Sequence, residues 1–226
     1  LAYGVTSVRD VGGLPYDELE TREAIDSGRR VGPRLFTTGY LLDGIRPYYP
    51  MASPSSSEAA VDRELLRASR LDYDTFKTYV RLPDTLQRRA IEGAHRLGIP
   101  MSSHEIYPAA LSGADSVEHT GATSRRGYST KQSLAGRAYE DVIRIVAGAR
   151  MTLTPTLALG GFQVAANEDV SLIEDPRWLA LQPAWTDATV RARRGLASRR
   201  RADLTPAQRT VRALHEAGVR IIAGVD

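Results

Sequence analysis

The sequence predicts an α/β protein with the architecture of an incomplete (β/α)8, TIM-like barrel. Short runs rich in β-branched residues alternate with amphipathic stretches that carry helix-start and helix-stop signals, which is the pattern of a parallel sheet. The 226 residues suffice for one sizeable barrel, and no internal repeat, low-complexity tract or obvious linker divides them. We therefore expect residues 1–226 to form one barrel domain.

Seven β-strands are predicted, each a short run of β-branched or aromatic residues bounded by turn signals such as Gly12-Gly13. In chain order they occupy residues 4–10, 34–39, 75–80, 99–104, 116–119, 151–157 and 219–226. A closed barrel of this type needs an eighth strand. We expect that strand to precede Leu1.

Helices are predicted between the strands from apolar side chains that recur on one face and from end signals. They occupy residues 17–28, 55–68, 84–97, 107–111, 140–149, 176–201 (as one or two helices) and 205–218. Ser55 and Glu58 have the spacing of a capping box, which predicts a helix start. Residues 40–54 contain three Pro residues and four Tyr or Met residues, which predicts a long loop.

Composition limits the chemistry that the chain can perform. Cys is absent, which excludes disulfides and thiolate metal sites and leaves His, carboxylate or modified Lys as metal ligands. No apolar run reaches the roughly 18 residues that predict a membrane span. The net charge is only +3, and the one strong basic cluster, at residues 191–201, lacks interleaved aromatic residues. We therefore expect a solvated helix face there and no nucleic-acid partner.

Polar side chains stand at or near the carboxyl ends of five predicted strands. Active sites of such barrels gather where those strand ends meet, so these side chains are expected to converge above the barrel. Imidazole, amine and carboxylate groups of this kind suit Zn²⁺, Mn²⁺ or similar ions. The five residues are Asp10, Lys77, His104, His119 and Asp226.

Each of these residues also has a structural interpretation, which the sequence leaves open. His104 and His119 are consistent with core histidines that are satisfied by hydrogen bonds. Lys77 is consistent with a surface lysine on an edge strand, although a lysine inside a covered parallel strand favours a specific role. Asp226 alternatively caps the segment that follows it, and Asp10 alternatively pairs with the arginine before it.

Three further titratable residues are predicted to lie away from the site. Glu118 precedes His119 and, in a regular strand, points the opposite way toward the helices. His95 and His215 fall in the last turns of predicted helices, where an imidazole can meet free carbonyl groups. We therefore expect structural roles for these three side chains.

Several motifs occur in a characteristic order along the chain. They are residues 4–13, 32–39, 76–79, 94–100 followed by His104, 113–119 ending in Glu118-His119, and 217–226 ending in Gly224-Val225-Asp226. On these motifs, which cover nearly the whole chain, the sequence resembles the imidazolonepropionase- and prolidase-like branch of the amidohydrolase superfamily. Val225 stands where that family usually has Thr. Residues 153–161 and the insert around Trp178 resemble members that are fused to a TolB-type β-propeller.

The resemblance implies a site with two divalent ions, most often zinc, that hydrolyses an amide or cyclic amide C–N bond in a small-molecule or peptide-like substrate. Lys77, carboxylated by CO2, would bridge both ions. His104 and His119 would hold one ion, and Asp226 would bind the other and act as general base. Two cations polarise the substrate carbonyl and lower the pKa of a bridging water, which gives a metal-bound hydroxide near neutral pH.

The finer resemblance to propeller-fused members implies a β-propeller in the parent protein and export to the periplasm or beyond the cell. The sequence is also compatible with a homo-oligomer. The family's His-x-His pair of strand one and its flanking β-sandwich have no counterpart in these residues. We therefore expect the chain alone to bind metal weakly and to be inactive, whereas the parent protein would be an enzyme.

Two alternatives to this function stay open at the level of sequence. One is a degenerate barrel that serves as a binding or scaffold domain, and the other is a barrel hydrolase with one metal ion and no lysine carboxylation. Within residues 40–54, Arg46, Tyr48 and Tyr49 are candidate substrate contacts, and disorder of the segment is an equal alternative.

Overall fold

Short strands alternate with helices throughout the computed structural model, which describes residues 1, 4–119, 138–157, 169–193 and 205–224. The strands are β1 (Ser7–Arg9), β2 (Arg34–Phe36), β3 (Leu41–Asp43), β4 (Ala52–Pro54), β5 (Phe76–Thr78), β6 (Met101–Ser103), β7 (Ser116–Glu118) and β8 (Thr152–Thr154). The helices are α1 (Pro15–Asp26), α2 (Glu58–Arg70), α3 (Asp84–Arg96), α4 (Ala109–Ser112), α5 (Glu140–Gly148), α6 (Ser171–Glu174), α7 (Pro176–Leu181), α8 (Ala184–Arg193) and α9 (Thr205–Glu216).

All strand pairs are parallel. β1 pairs with β2, and the other six strands form one sheet in the order β4-β3-β5-β6-β7-β8. The carbonyl of Thr37, just after β2, accepts hydrogen bonds from the amides of Asp74 and Thr75 at 3.0 and 3.2 Å, which links β2 to the start of β5. Beyond β8, Leu153 forms a parallel bridge with Ile221. The strands therefore make an incomplete barrel, as the sequence predicts.

Two segments depart from the sequence prediction. Residues 40–54, predicted as loop, contain β3 and β4, in which Leu41 and Ala52 are register partners and are both buried. Burial of these apolar side chains explains why the segment joins the sheet. The predicted last strand, residues 219–226, is reduced to the bridge at Ile221 in its described part.

The helices pack their apolar faces against the sheet and against each other. α2 begins after Ser57, whose hydroxyl accepts a hydrogen bond from the amide of Ala60 at 3.2 Å, so the cap is Ser57 and not the predicted Ser55. α2 and α3 approach closely at Gly93, where a Cβ atom would come within 2.2 Å of Leu65 Cδ1. Among the described residues, no helix combines the length and apolarity required to cross a membrane.

A polar layer crosses the inside of the barrel and contains buried Lys77, Ser102, Glu118 and Thr154, together with Arg9, whose side chain is 25% exposed. Glu118 lies at its centre, with Oε1 at 2.8 Å from Arg9 Nη2 and 3.7 Å from Lys77 Nζ. The Ser102 hydroxyl donates to the same oxygen at 2.5 Å, and Arg9 Nη2 also donates to Thr154 Oγ1 at 3.1 Å. Five strands, β1 and β5 to β8, therefore meet through these side chains.

The polar layer corrects two expectations from the sequence. Glu118 does not point toward the helices, because its carboxylate lies among the interior side chains and is 2% exposed. Arg9 pairs with this carboxylate and not with Asp10, whose Oδ1 accepts a hydrogen bond from the amide of Gly12 at 3.0 Å. Arg9 meets Glu118 because the barrel brings strands that are distant in sequence close together.

Two cations set the ionisation of Glu118. Burial by itself would raise the pKa of this carboxyl. The positive charges of Lys77 and Arg9, with hydrogen bonds from Ser102 and Thr154, outweigh burial and hold the pKa of Glu118 at about 2. The carboxylate is therefore ionised throughout the neutral range.

We predict that Gly39→Ala lowers the free energy of unfolding by about 3 kcal/mol, because left-handed strain and overpacking add. Gly39 has a φ of 68°, and a Cβ atom there would come within 2.1 Å of the hydroxyl oxygen of the buried Tyr73. Gly28→Ala is the matched control, because Gly28 also has a positive φ, 74°, but nothing within 4 Å of the Cβ position. Its cost should be about 1 kcal/mol. Urea denaturation measures both variants, and equal losses would contradict the steric argument.

A second prediction concerns Glu118→Gln in the metal-free protein. The pKa of Glu118 is lower in the folded state than its ordinary value, so its contribution to stability is complete at neutral pH and is lost as the pH falls from about 5 to about 2. The substitution should lower the free energy of unfolding by about 3 kcal/mol at pH 7 and flatten its dependence on acid pH. Urea denaturation at several pH values measures this, with the exposed Glu140→Gln as control. A loss no larger than that of the control would refute the electrostatic role of Glu118.

Candidate active site

His104 and His119 meet at the carboxyl ends of neighbouring strands. Each histidine follows the last residue of its strand, β6 for His104 and β7 for His119. The backbone amides of His104 and His119 donate to the carbonyl oxygens of Thr78 and Thr154 at 3.2 and 2.7 Å, so the sheet fixes the backbone of both histidines. The two imidazole rings lie with centroids 4.8 Å apart and planes inclined at 57°. The structure therefore brings together two of the predicted metal ligands.

The backbone at His119 explains how adjacent residues both face the barrel interior. β7 ends at Glu118, and His119 has a φ of 64°, in the left-handed region that non-glycine residues seldom adopt. The alternation of side chains along a strand therefore does not extend to His119. Its Nδ1 shares a hydrogen bond of 2.5 Å with the hydroxyl of Thr156, which fixes the orientation of the ring.

Lys77 lies in the centre of β5 and is buried, at 2% exposed. Its Nζ is 3.4 Å from Ser102 Oγ and 3.7 Å from Glu118 Oε1. Lys77 and Ser102 are register partners, and His104 follows Ser102 by two residues on the same face of β6. Lys77 therefore lies one layer below the histidines, and the edge-strand interpretation of this lysine is wrong.

Aromatic side chains extend from His104 toward the surface. The Tyr79 ring contacts the His104 ring with centroids 4.7 Å apart, and Tyr48 and Tyr49 pack against Tyr79. Sequence reasoning singled out Tyr48 and Tyr49 but missed Tyr79, which shares a strand face with Lys77 at a spacing of two residues. The two-residue spacing from Lys77 is the sequence feature that identifies Tyr79 as a neighbour of the site.

Buried Asp43 holds the segment that carries the two outer tyrosines. Its Oδ2 accepts a hydrogen bond from the amide of Tyr48 at 2.9 Å, and its Oδ1 accepts from the amides of Gly44 and Arg81 at 2.9 and 2.8 Å. The Arg46 carbonyl oxygen accepts a hydrogen bond from Arg81 Nη1. Of the three predicted substrate contacts, the structure thus brings the two tyrosines, but not the Arg46 side chain, to the aromatic cluster.

The predicted base Asp226 lies outside the described residues. The nearest described position is Gly224, where a Cβ atom would come within 2.3 Å of Thr154 Cγ2 on β8. His95 is remote from the site, as expected, although its Nε2 pairs with Asp115 Oδ2 at 2.8 Å instead of with free carbonyls. In the part of the chain that the structure describes, no three His, Asp or Glu side chains are grouped so that they could hold a metal ion.

Comparison with known proteins places this geometry in a wider context. No family model matches the sequence, and no curated protein matches it. Among solved structures, a Xaa-Pro dipeptidase with methionine bound in its active site matches with a TM-score of 0.63 and 16% identity over 98% of this chain and 54% of that chain.

Two further solved structures are similar to the chain. An A. niger ochratoxinase has a TM-score of 0.64 and 18% identity, and a bottromycin amidohydrolase has a TM-score of 0.65 and 21% identity. Both matches cover 100% of this chain and 53% of the other chain. The chain thus spans about half the length of the solved structures that it matches, and over that span it shares their fold.

Proposed function

We propose that this chain is part of a metal-dependent amidohydrolase that cleaves an amide or cyclic amide C–N bond. The observation that carries the proposal is the meeting of His104 and His119 at adjacent strand ends, with ring centroids 4.8 Å apart. Lys77 lies inside the barrel on the next strand, one layer below. The fold that the chain shares with a dipeptidase and an amidohydrolase supports the same reaction class.

The described residues fit a divalent ion in part. His104 and His119 would hold one ion through their imidazole nitrogens. Lys77 would become a ligand only after its ammonium releases a proton and the amine adds CO2 with loss of a second proton, which gives an anionic carbamate. Asp226 would complete the second position. When bound, two such ions, most often zinc, polarise a substrate carbonyl and lower the pKa of water.

The protein's own groups then have defined roles. Asp226 would take a proton from the attacking water and return it to the departing amine. Arg9 would keep Glu118 neutralised when Lys77 is carboxylated, because its guanidinium is only 2.8 Å from that carboxylate. Without Arg9, Glu118 would lose its remaining close cation when a carbamate replaces the Lys77 ammonium.

One observation favours the scaffold alternative. As an ammonium, Lys77 already has structural partners in Glu118 and Ser102, so its burial does not by itself require a metal. A degenerate barrel would keep this ion pair and bind no ion. A mononuclear hydrolase would use the histidines alone and would not require Lys77.

We predict that the full-length protein binds about two equivalents of zinc and that Lys77→Ala, His104→Ala and His119→Ala each lose metal and metal-dependent amide hydrolysis. Elemental analysis of the purified variants measures the metal, and amine release from an amide measures turnover. His95→Ala and His215→Ala are matched controls that should retain both, because these histidines lie on α3 and α9. Absence of metal from the wild-type protein supports the scaffold, and an active Lys77→Ala enzyme supports the mononuclear hydrolase.

A further inference from the structure

We propose that Tyr48, Tyr49 and Tyr79 form a tyrosine surface that selects amides with a flat apolar ring next to the scissile bond. The inference rests on the proposed function, because it assigns a substrate class to that same site. Neither the fold nor the predicted metal ligands indicate which class of amide the site would accept.

The tyrosine surface is continuous with the candidate metal ligands. The Tyr79 ring meets the His104 ring edge-on at 4.7 Å between centroids. Tyr49 and Tyr48 lie 5.5 and 6.4 Å from Tyr79, and the two outer rings are 4.6 Å apart with planes at 73°. Tyr79 therefore connects the two outer rings to His104 at the rim of the barrel.

The outer part of the tyrosine surface is exposed to solvent. Tyr79 is buried, whereas Tyr48 is 49% exposed and Tyr49 is 37% exposed. Aromatic rings attract other rings in edge-to-face or offset arrangements, an attraction that a saturated group of equal size does not supply. The exposed rings therefore favour an aromatic substituent over an aliphatic one.

Asp43 fixes this surface before any ligand arrives. The Asp43 side chain is fully buried, and its two oxygens accept three backbone hydrogen bonds from Gly44, Tyr48 and Arg81. The Arg81 guanidinium carbon lies 5.8 Å from the centroid of the Tyr48 ring. A Cβ atom on Gly44 would come within 2.4 Å of the Arg81 carbonyl oxygen, so the two segments are in close contact. A pre-ordered ring loses little conformational freedom on binding, which favours selectivity.

The test compares two ligands that differ only in the ring, N-acetyl-phenylalanine amide and its cyclohexylalanine analogue. Isothermal titration calorimetry measures binding of both to the full-length protein, and amine release measures their hydrolysis. We expect the phenyl compound to bind about tenfold more tightly than the cyclohexyl compound. The double variant Tyr48→Ala/Tyr49→Ala should reduce this ratio to about one, whereas Tyr16→Ala, which removes an exposed tyrosine on α1, should leave it unchanged.

The outcomes separate this inference from the proposed function. Equal binding of the two compounds by the wild-type protein, or a ratio that survives loss of both outer rings, would overturn the tyrosine surface even if both amides are hydrolysed. A ring preference in binding that disappears in the double variant would support the surface even if neither amide is hydrolysed, and the zinc content of the wild-type protein then decides the amidohydrolase proposal separately.

Discussion

The fold depends on a carboxylate that is buried inside the barrel and held between two cations. Glu118 draws Arg9 from β1, Lys77 from β5 and Ser102 from β6 to one point. Removing charges from water is costly, and their mutual attraction offsets that cost only when the geometry also satisfies their hydrogen bonds. The interior of the barrel therefore tolerates little change in strand register, because a shift of one residue would turn each of these side chains away from the others.

The same register positions the candidate site above this layer. Side chains two residues apart on a strand lie on one face, so a lysine paired with Ser102 implies that His104 occupies the next layer toward the rim. At the neighbouring strand, the left-handed backbone of His119 lets Glu118 serve the buried layer while the histidine turns to the rim. The charge network and the two imidazoles are thus consequences of one arrangement of strands.

Much of this arrangement is predictable from the sequence, and the exceptions have physical causes. The regular alternation of β-branched runs with helix signals predicts the strand that bears Lys77 and the strand that ends just before His104. The sequence does not predict that Glu118 points inward. Strand alternation fails at His119, which has a positive φ, and nothing local in the sequence marks this backbone conformation. Residues 40–54 were predicted as loop because their prolines outweighed the buried Leu41, whose partner Ala52 is a tertiary contact.

Lys77 belongs to the buried layer and is also a proposed metal ligand, so the proposed chemistry would act on a group that is part of the interior ion-pair network. As an ammonium it helps to neutralise Glu118, and as a carbamate it would bring a negative charge into the same layer. Arg9 resolves this conflict, because its guanidinium binds Ser116, Glu118 and Thr154 at 2.8 to 3.1 Å and neutralises the carboxylate without Lys77. Arginine suits this role better than lysine, because its planar donors bond several acceptors at once and it stays charged when buried. The arginine on β1 would therefore keep Glu118 neutralised in the carbamate state proposed for Lys77.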